Sequence, residues 1–252
     1  MLVEAQDLAE GVRMLTLNRP PANAISRDLS DELCAQCHAA RDDAAVRAVI
    51  VTGVGRFFSA GVDLKQAAEG KSNLGNLGGA EDDGVFALWT MPKPTVAMVN
   101  GHAIAGGTII ALACDFRITA AGTHKFGLNE VAIGLAFPYG AYEIARLALT
   151  NRALRHVALE ASFLDPARAL ELGIVDEAVE PTELEARCLD QARRLGRNGQ
   201  LAYAHTKRTI QQEAIARIMA RTPEQKREVN AIMKSDEARA LIAGQMRSMG
   251  SR

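Results

Sequence analysis

One segment, PTVAMVNGHAIAGGTIIALACDFRIT (residues 94–119), indicates the architecture of the whole chain. It opens with a short apolar run that contains β-branched residues, and such a run predicts a strand. The pair Gly106-Gly107 follows, and the apolar residues from there to Cys114 predict a buried helix. Residues 115–119 again have strand character. A strand, a helix and another strand in this order predict parallel pairing, so we expect an α/β core.

The same alternation extends through the N-terminal part of the chain. Ser26 is expected to cap a helix that runs to Asp42, and residues 70–84 are polar with five glycines, which is typical of a mobile lid or of simple disorder. After about residue 197 the sequence is charged and favours helix, so we divide the chain into a core, 1–196, and a helical C-terminal region, 197–252. The remaining predicted elements in the N-terminal part are strands at residues 11–18 and 45–52 and a short helix at residues 85–89.

The composition is that of an ordinary globular protein. The chain has 252 residues, of which 48 % are hydrophobic and 23 % charged, enough for one large domain with a sizeable core. Its formal net charge of −1 gives no general attraction to nucleic acid or to an anionic membrane surface. The longest uncharged apolar run, residues 103–114, is too short to cross a bilayer, and the first residues lack the pattern of a secretory signal. We therefore expect a cytoplasmic protein that binds neither nucleic acid nor membrane.

Motifs that would indicate a metal or a cofactor are absent or incomplete. Cys34 and Cys37 have the spacing of half a metal site, but no second pair follows, so we expect packing cysteines and no metal. Gly53 and Gly55 follow a predicted strand, but Phe58 occupies the position of the third glycine of a dinucleotide fingerprint. No P-loop lysine follows a glycine cluster. The sequence therefore predicts no permanently bound cofactor.

The glycine pair of the opening segment has two interpretations. A backbone N–H acts as a catalytic donor only where the chain comes close to a ligand, and glycine permits that approach because it lacks a Cβ atom. N–H groups in the first turn of a helix have no internal partner and carry partial positive charge. Gly106 and Gly107 are therefore suited to hold a developing negative oxygen, although close packing of a helix on a sheet would also require glycine. A second turn of this kind, residues 58–64 (FSAGVDL), would let two N–H groups bind one oxygen from both sides.

Several segments together resemble the motifs of the crotonase, or enoyl-CoA hydratase/isomerase, superfamily. The resemblance covers nearly the whole chain. Residues 18–26 (NRPPANAIS) are similar to the first loop that contacts coenzyme A, and residues 57–64 (FFSAGVDL) to the loop with the first oxyanion donor. The central signature of the superfamily is similar to residues 93–101 (KPTVAMVNG), followed by residues 105–107 (AGG) and 114–115 (CD).

This resemblance implies a spiral of repeated ββα units, a C-terminal helical region that makes trimer contacts, and an acyl-CoA thioester as the ligand. Coenzyme A would enter as part of the substrate, and the assembly would be a homotrimer or a dimer of trimers. The oxyanion hole would consist of the backbone N–H groups of Val62 and Gly106. The other contacts that the family makes with substrate and coenzyme A fall on Ala24, Ala60, Asp63, Leu64, Gly107 and Lys207.

The resemblance also implies that one catalytic acid is missing. Hydratases of this family hold one water between two glutamates, and the first belongs three residues beyond the second oxyanion donor, where this chain has Ile109. The second is present as Glu130, in the motif FGLNE (residues 126–130). Hydration requires a water to be oriented and deprotonated, whereas moving a double bond from the 3-position to the 2-position requires one base. An apolar residue that excludes water favours the second reaction, so we predict a Δ3,Δ2-enoyl-CoA isomerase with Glu130 as its base.

Other side chains near these motifs have less specific roles. Phe137 and Tyr139 are expected to line the acyl pocket together with Ile109, although aromatic residues are more often part of a core. Glu143 is a candidate replacement for the missing acid. His102, in the turn before the glycine pair, is expected to bind backbone groups rather than substrate.

Two other functions stay open at the level of the sequence. The first is another reaction of acyl-CoA thioesters on the same oxyanion scaffold, such as hydration, thioester hydrolysis or decarboxylation, because one fold supports many reactions. The second is a non-catalytic scaffold that binds acyl-CoA or a partner. The near-neutral charge argues against RNA as that partner, and the retention of Glu130 beside two predicted oxyanion turns argues against a dead enzyme.

Overall fold

A six-stranded sheet and a three-stranded sheet form the frame of the protein, whose computed structural model describes residues 1–63 and 83–250. The strands are β1 (Val3–Leu8), β2 (Val12–Leu17), β3 (Ala48–Gly53), β4 (Phe57–Ser59), β5 (Thr95–Val99), β6 (His102–Ile104), β7 (Phe116–Ala120), β8 (Phe126–Gly127) and β9 (Glu177–Val179). The larger sheet has the order β1-β2-β3-β5-β7-β9, in which only β1 and β2 pair antiparallel among the described strands.

The small sheet grows by one strand each time the chain passes through the larger sheet. β3 leads into β4, β5 into β6 and β7 into β8, and the small sheet has the parallel order β4-β6-β8. A helix follows each of these strand pairs before the next one begins. This arrangement is the spiral of repeated ββα units that the resemblance implies, so the predicted fold class is confirmed.

The helices begin where the sequence supplies a cap. Ser26 caps the first helix, because its side chain accepts a hydrogen bond from the N–H of Leu29 at 3.1 Å, as the sequence predicts. Asp83 caps the second helix in the same way. The α-helices of the described residues are α1 (Arg27–Asp42), α2 (Gly84–Trp89), α3 (Gly106–Ala113), α4 (Tyr139–Ala148), α5 (Asn151–Leu154), α6 (Pro166–Glu171), α7 (Leu184–Gly196), α8 (Gln200–Met219), α9 (Pro223–Met233) and α10 (Asp236–Gly250).

Both faces of the larger sheet are buried. One face, which includes Leu15 and Val51, belongs to the main core together with α1, α2 and α3. The opposite face, which includes Ile50 and Met98, packs against α7 through residues such as Cys188. Because neither face meets water, β3 is buried along its whole length, as is usual for a parallel strand covered on two sides.

The helix α8 returns the chain to the core. Lys207 forms an ion pair with Asp115 at 2.9 Å, and the side chain of Gln211 donates a hydrogen bond to the carbonyl oxygen of Trp89 at 2.7 Å. These two contacts fix one face of α8 against the end of α2 and the residues that follow α3. The division of the chain at residue 197 stays a prediction.

The last helix, α10, covers the segment that follows Glu130. Ala238 is fully buried and forms a small apolar cluster with Ile133 and Leu135. Gly134 has a left-handed φ of 70°, and a Cβ atom there would lie 3.0 Å from the Cα of Ala238. Glycine at this position therefore provides both the turn and the close approach of α10.

Prediction and structure agree best for the long elements. The predicted strands correspond to β2, β3, β5 and β7, and the predicted helices to α1, α2 and α3. The sequence does not predict β9, nor β4, β6 and β8 as strands of a second sheet, because two or three residues show no periodicity. It also misses β1, which is exposed along most of its length. The predicted glycine-rich loop lies outside the described residues except for Asp83 and Gly84.

The four cysteines lie in the interior of the protein. Cys34, Cys37, Cys114 and Cys188 are buried free thiols, as expected of packing residues. Within residues 1–63 and 83–250, no group of three His, Cys, Asp or Glu side chains has the arrangement of a metal site. None of the helices in these ranges is both long and apolar enough to cross a membrane.

Candidate active site

Three short parallel strands bring three predicted site residues to one edge of the small sheet. Val62 lies three residues beyond β4, Gly106 two residues beyond β6 and Glu130 three residues beyond β8. Because these strands are parallel neighbours in the order β4-β6-β8, their carboxyl ends meet at the same edge. Neighbouring strands are about 4.8 Å apart, so the three residues lie within reach of one small acyl group.

Two glycines allow the turns after β4 and β6 to touch each other. Gly61 has a φ of 81°, and a Cβ atom there would lie 2.8 Å from the nitrogen of Gly106. A Cβ atom on Gly107 would overlap the carbonyl oxygen of Ser59. The two interpretations of the glycine pair therefore apply to different residues: Gly107 is required by packing, and Gly106 is placed beside the neighbouring turn.

Both predicted oxyanion donors have N–H groups without an acceptor in the described part of the chain. Gly106 is the first residue of α3, so its N–H has no intrahelical partner. Val62 forms a bridge with Ile25, but the hydrogen bonds of that bridge use the N–H of Ile25 and that of Asp63 and leave the N–H of Val62 unused. Ala105, just before α3, has φ 50° and ψ −123°, a strained conformation of the kind that is found at functional sites.

Three of the predicted contacts with substrate and coenzyme A, namely Ala24, Ala60 and Asp63, lie together around the turn after β4. The N–H of Ala60 donates a hydrogen bond to the N-terminal loop, at the carbonyl oxygen of Ala22, 2.9 Å away. Arg19 of this loop forms an ion pair with Asp63 at 2.7 Å and donates to the carbonyl oxygen of Ala24 at 3.1 Å. The loop of residues 18–26 is thereby fixed against the first oxyanion turn. Residue 64, a further predicted contact, lies outside the described residues.

Glu130 has the environment of a buried acid. Its residue is 6 % exposed, and burial raises the pKa of its carboxyl group to about 7. The Oε2 atom of Glu130 has no hydrogen-bond partner among the described residues, and the same holds for Oδ1 of the preceding Asn129. Buried polar atoms of proteins nearly always have a partner, so these two oxygens indicate a place where a ligand or a water binds.

Comparison with known proteins agrees with this geometry. The family model described as enoyl-CoA hydratase/isomerase matches residues 7–244. The chain belongs to the enoyl-CoA hydratase/isomerase family. It is thus an acyl-CoA enzyme of the crotonase superfamily, as the resemblance of its motifs implies.

Members of the enoyl-CoA hydratase/isomerase family that are similar to this chain carry different names. A carnitinyl-CoA dehydratase of Salmonella arizonae is 36 % identical over 194 residues, which cover 77 % of this chain and 74 % of the relative. The apo structure of an enoyl-CoA isomerase from Mycobacterium tuberculosis is 32 % identical, covers 92 % of this chain and 97 % of its own, and gives a TM-score of 0.79. The human mitochondrial Δ3-Δ2-enoyl-CoA isomerase gives a TM-score of 0.88 over 100 % of both chains at 24 % identity, which is a similarity of fold. Membership of the family therefore does not define which reaction this enzyme catalyses.

The three side chains predicted to line the acyl pocket are buried or half-buried. Ile109, at the position of the missing glutamate, is fully buried in the first turns of α3. Phe137 and Tyr139 are half-buried and pack against the main core, to which Trp89 also belongs. Their role as pocket lining stays a prediction.

Lys207 forms a buried ion pair with Asp115 in this chain. The residue is 7 % exposed, and its ammonium group contacts the carboxylate of Asp115, which also accepts hydrogen bonds from Tyr203 and from the N–H of Thr95. A buried lysine that forms such a pair fixes α8 to the sheet. The contact of Lys207 with a phosphate of coenzyme A stays a prediction. The buried pair with Asp115 was not expected, because an exposed helical lysine and a buried one look the same in sequence.

Glu143 is unsuited to replace the missing catalytic acid. It is 2 % exposed, and its Oε2 atom forms ion pairs with Arg146 at 3.2 Å and with Arg217 at 3.0 Å. A carboxylate oxygen that accepts hydrogen bonds from two guanidinium groups is turned toward them and away from a substrate. It does not replace the acid that is missing at position 109.

His102 has the structural role that we expected. Its Nδ1 atom accepts a hydrogen bond from the N–H of Lys125 at 3.1 Å, and its ring packs on that of Phe57. His102 begins β6, so it lies at the opposite edge of the small sheet from Gly106. Two other features, the strained conformation of Ala105 and the contact between Tyr139 and Arg221, are not visible in the sequence, because both depend on tertiary packing.

Proposed function

We propose that this enzyme is a Δ3,Δ2-enoyl-CoA isomerase in which Glu130 is the only acid–base group. The observation that carries the proposal is a single buried carboxyl group with a raised pKa and an unpartnered oxygen. It lies three residues beyond β8, the strand that pairs with β6, and β6 leads to Gly106. Ile109 occupies the position where a second carboxylate would be needed to hold water. An acid whose pKa is near neutrality is suited both to accept and to return a proton at physiological pH.

The reaction needs one proton to move between two carbon atoms of the acyl chain. The carboxylate of Glu130 removes a proton from C2 of a 3-enoyl-CoA, and the electron pair of that C–H bond moves onto the thioester oxygen to form a dienolate. The protonated Glu130 then donates its proton to C4. The double bond now lies between C2 and C3, and the carboxylate is restored for the next turnover.

The backbone N–H groups of Val62 and Gly106 stabilise the dienolate. Negative charge on the thioester oxygen develops in the transition state, and two fixed donors in a site of low dielectric constant stabilise it more than the neutral thioester. The positive end of the α3 dipole adds to this effect at Gly106. The order β4-β6-β8 supports a substrate that has its oxygen between β4 and β6 and its reactive carbons near β8.

We assign the coenzyme A part of the substrate to the loop of residues 18–26 and the turn after β4. This assignment extends to Ala24, Ala60, Asp63 and Gly107 the contacts that the family resemblance implies. Arg19 supports it indirectly, because its bonds to Asp63 and to the carbonyl of Ala24 hold the two segments together.

Dehydration or hydration is the competing reaction, since a relative that is 36 % identical is described as a carnitinyl-CoA dehydratase. The site of this chain argues against it, because the side chain at position 109 has no oxygen with which to orient a water. The carboxylate of Glu143 is occupied by Arg146 and Arg217. We therefore expect hydration of a 2-enoyl-CoA to be slow compared with isomerisation.

Separate incubations with 3-hexenoyl-CoA and with 2-hexenoyl-CoA test the proposal. The first is expected to give the conjugated thioester, which is measured by its ultraviolet absorbance, and the second to yield little 3-hydroxyacyl-CoA. Glu130→Gln should lower kcat by about 10³-fold, as loss of an acid–base group does, with little change in the affinity for a saturated acyl-CoA. Rapid hydration of the second substrate, or full isomerase activity of Glu130→Gln, would contradict the assignment.

A further inference from the structure

A pair of helices places an arginine on the face of Tyr139. Tyr139 and Glu143 are one turn apart at the start of α4, and Arg217 and Arg221 are spaced alike at and just beyond the end of α8. Arg217 forms an ion pair with Glu143 at 3.0 Å. Four residues further along, the guanidinium carbon of Arg221 lies 5.5 Å from the centre of the Tyr139 ring. The antiparallel packing of these helices thus fixes both contacts.

The two arginines differ in how their charge is balanced. Glu143 neutralises Arg217 and is shared with Arg146. Within the described residues, no carboxylate lies within ion-pair distance of Arg221; its Nη2 atom donates only to the carbonyl oxygen of Gln225, at 3.2 Å. Its Nε atom is buried without a hydrogen-bond acceptor. Arg221 is therefore a partly desolvated cation whose contact is an aromatic ring, and an anion would be a better partner for it.

The order of the strands in the small sheet indicates which part of a substrate would lie near Arg221. If the thioester oxygen lies between the turns after β4 and β6, and C2 to C4 lie at Glu130 beyond β8, the rest of the acyl chain continues away from β4. The segment that follows Glu130 leads to Tyr139, the first residue of α4, so we place the far end of the acyl chain near Tyr139. The ring of Tyr139 would then lie between the end of a short acyl chain and the guanidinium of Arg221. An acidic end would reach the guanidinium beside the ring.

We infer that Arg221 is a specificity-determining residue that favours acyl-CoA substrates with a carboxylate at the far end of a short acyl chain. It binds this carboxylate by charge-assisted hydrogen bonds from its unpaired N–H groups, and it disfavours acyl groups with a cationic end, because they would compete with the guanidinium for the face of Tyr139. The inference takes its substrate orientation from the proposed function. It adds the chemical class of the acyl chain.

Binding of saturated acyl-CoA thioesters tests this inference without relying on catalysis. Calorimetric titration at low ionic strength compares hexanoyl-CoA, adipyl-CoA and a thioester of similar length that ends in a trimethylammonium group. The wild-type protein should bind adipyl-CoA more tightly than the other two. Arg221→Gln should weaken adipyl-CoA binding by about tenfold, the effect of losing a charged hydrogen bond, and leave hexanoyl-CoA binding nearly unchanged.

Two further variants make the outcome specific. Arg221→Glu should reverse the order and favour the trimethylammonium thioester over adipyl-CoA. Arg227→Gln removes the same charge from an exposed position of α9 and should leave the ratio of the affinities unchanged. The inference is overturned if Arg221→Gln leaves the ratio of adipyl-CoA to hexanoyl-CoA affinity as it is in the wild type, or if Arg227→Gln changes it equally. Saturated thioesters do not isomerise, so such a result would stand apart from the isomerase assay of Glu130→Gln.

Discussion

Glu130 links the proposed chemistry to the stability of the protein. The carboxyl group is buried and its pKa is raised from an ordinary 4.5 to about 7, so the folded protein holds its proton more tightly than the unfolded chain does. Stability is then greatest below pH 4.5 with respect to this group, falls as the pH rises from about 4.5 to about 7, and is constant above that. The decrease corresponds to about 3 kcal/mol of unfolding free energy.

Glu130→Gln should therefore stabilise the protein at pH 8 and leave it nearly unchanged at pH 4. The glutamine has the shape of the protonated acid and cannot ionise, so the free energy of unfolding at pH 8 should rise by up to about 3 kcal/mol. Urea unfolding of wild type and variant at both pH values measures this difference. An equal stability of the two proteins at pH 8 would mean that Glu130 is hydrated and has an ordinary pKa.

The same pKa predicts how activity depends on pH. As a base, Glu130 must be ionised in the free enzyme, so kcat/KM for a 3-enoyl-CoA should increase about tenfold per pH unit below pH 7 and level off above it. A profile measured from pH 5 to 9 reports this midpoint. A plateau that extends unchanged down to pH 5 would exclude Glu130 as the titrating base.

Ile109 is the residue that decides between isomerisation and hydration in our proposal. Ile109→Glu should give the site a second carboxylate and raise the hydration of 2-hexenoyl-CoA by at least about tenfold, at a loss of stability from burying a charge. Ile109→Gln is the matched control, since it adds polarity without an acid–base group and should not hydrate. A folded Ile109→Glu protein with no gain of hydration would show that water is excluded by other residues.

At the residue scale, the sequence predicts candidate groups for the site but not the tertiary contacts that each of them makes. The motif FGLNE was enough to single out Glu130, but its unpaired oxygen follows from tertiary burial. The sequence assigns Lys207 to coenzyme A, whereas the structure pairs it with Asp115. This pair could not be predicted, because the two residues lie far apart in the sequence. The contact of Arg221 with Tyr139 could not be predicted for the same reason.

At the scale of elements, the two glycines of the pair have separate tasks that sequence alone did not resolve. Gly107 lets α3 pack on β4, and a methyl group there would overlap the carbonyl oxygen of Ser59. Gly107→Ala should lower the unfolding free energy by about 1–3 kcal/mol and reduce kcat, because it forces apart the turns that bear Val62 and Gly106. Thermal unfolding and the isomerase assay measure the two effects.

Gly244→Ala is the control for this substitution. Gly244 lies within α10, where the nearest atom to an added Cβ would be 3.9 Å away, so alanine should be neutral or slightly stabilising. A Gly107→Ala protein as stable and as active as Gly244→Ala would show that α3 shifts without consequence for the site. The strands β4, β6 and β8 illustrate the same limit of sequence reasoning, since they become visible only when the turns between them pack together.

At the scale of the whole molecule, the C-terminal helix packs on the segment that follows the base. α10 packs Ala238 against Ile133 and Leu135, and the N–H groups of these two residues bond the carbonyl oxygen of Glu130. Helix α10 thus covers the segment that follows Glu130. Burial of Glu130, which sets its pKa, is expected to depend on this contact although α10 contributes no group to the reaction.

Ala238→Leu tests this coupling between the end of the chain and the site. The larger side chain has no space beside Gly134, so α10 should move outward and water should reach Glu130 more easily. The midpoint of the pH profile of kcat/KM should then shift from about 7 toward 4.5, while Ala240→Leu, at an exposed position of the same helix, should leave it unchanged. If Ala238→Leu lowers the thermal stability but keeps the midpoint near 7, the burial of Glu130 is independent of α10, and the base owes its pKa to α3 and the small sheet alone.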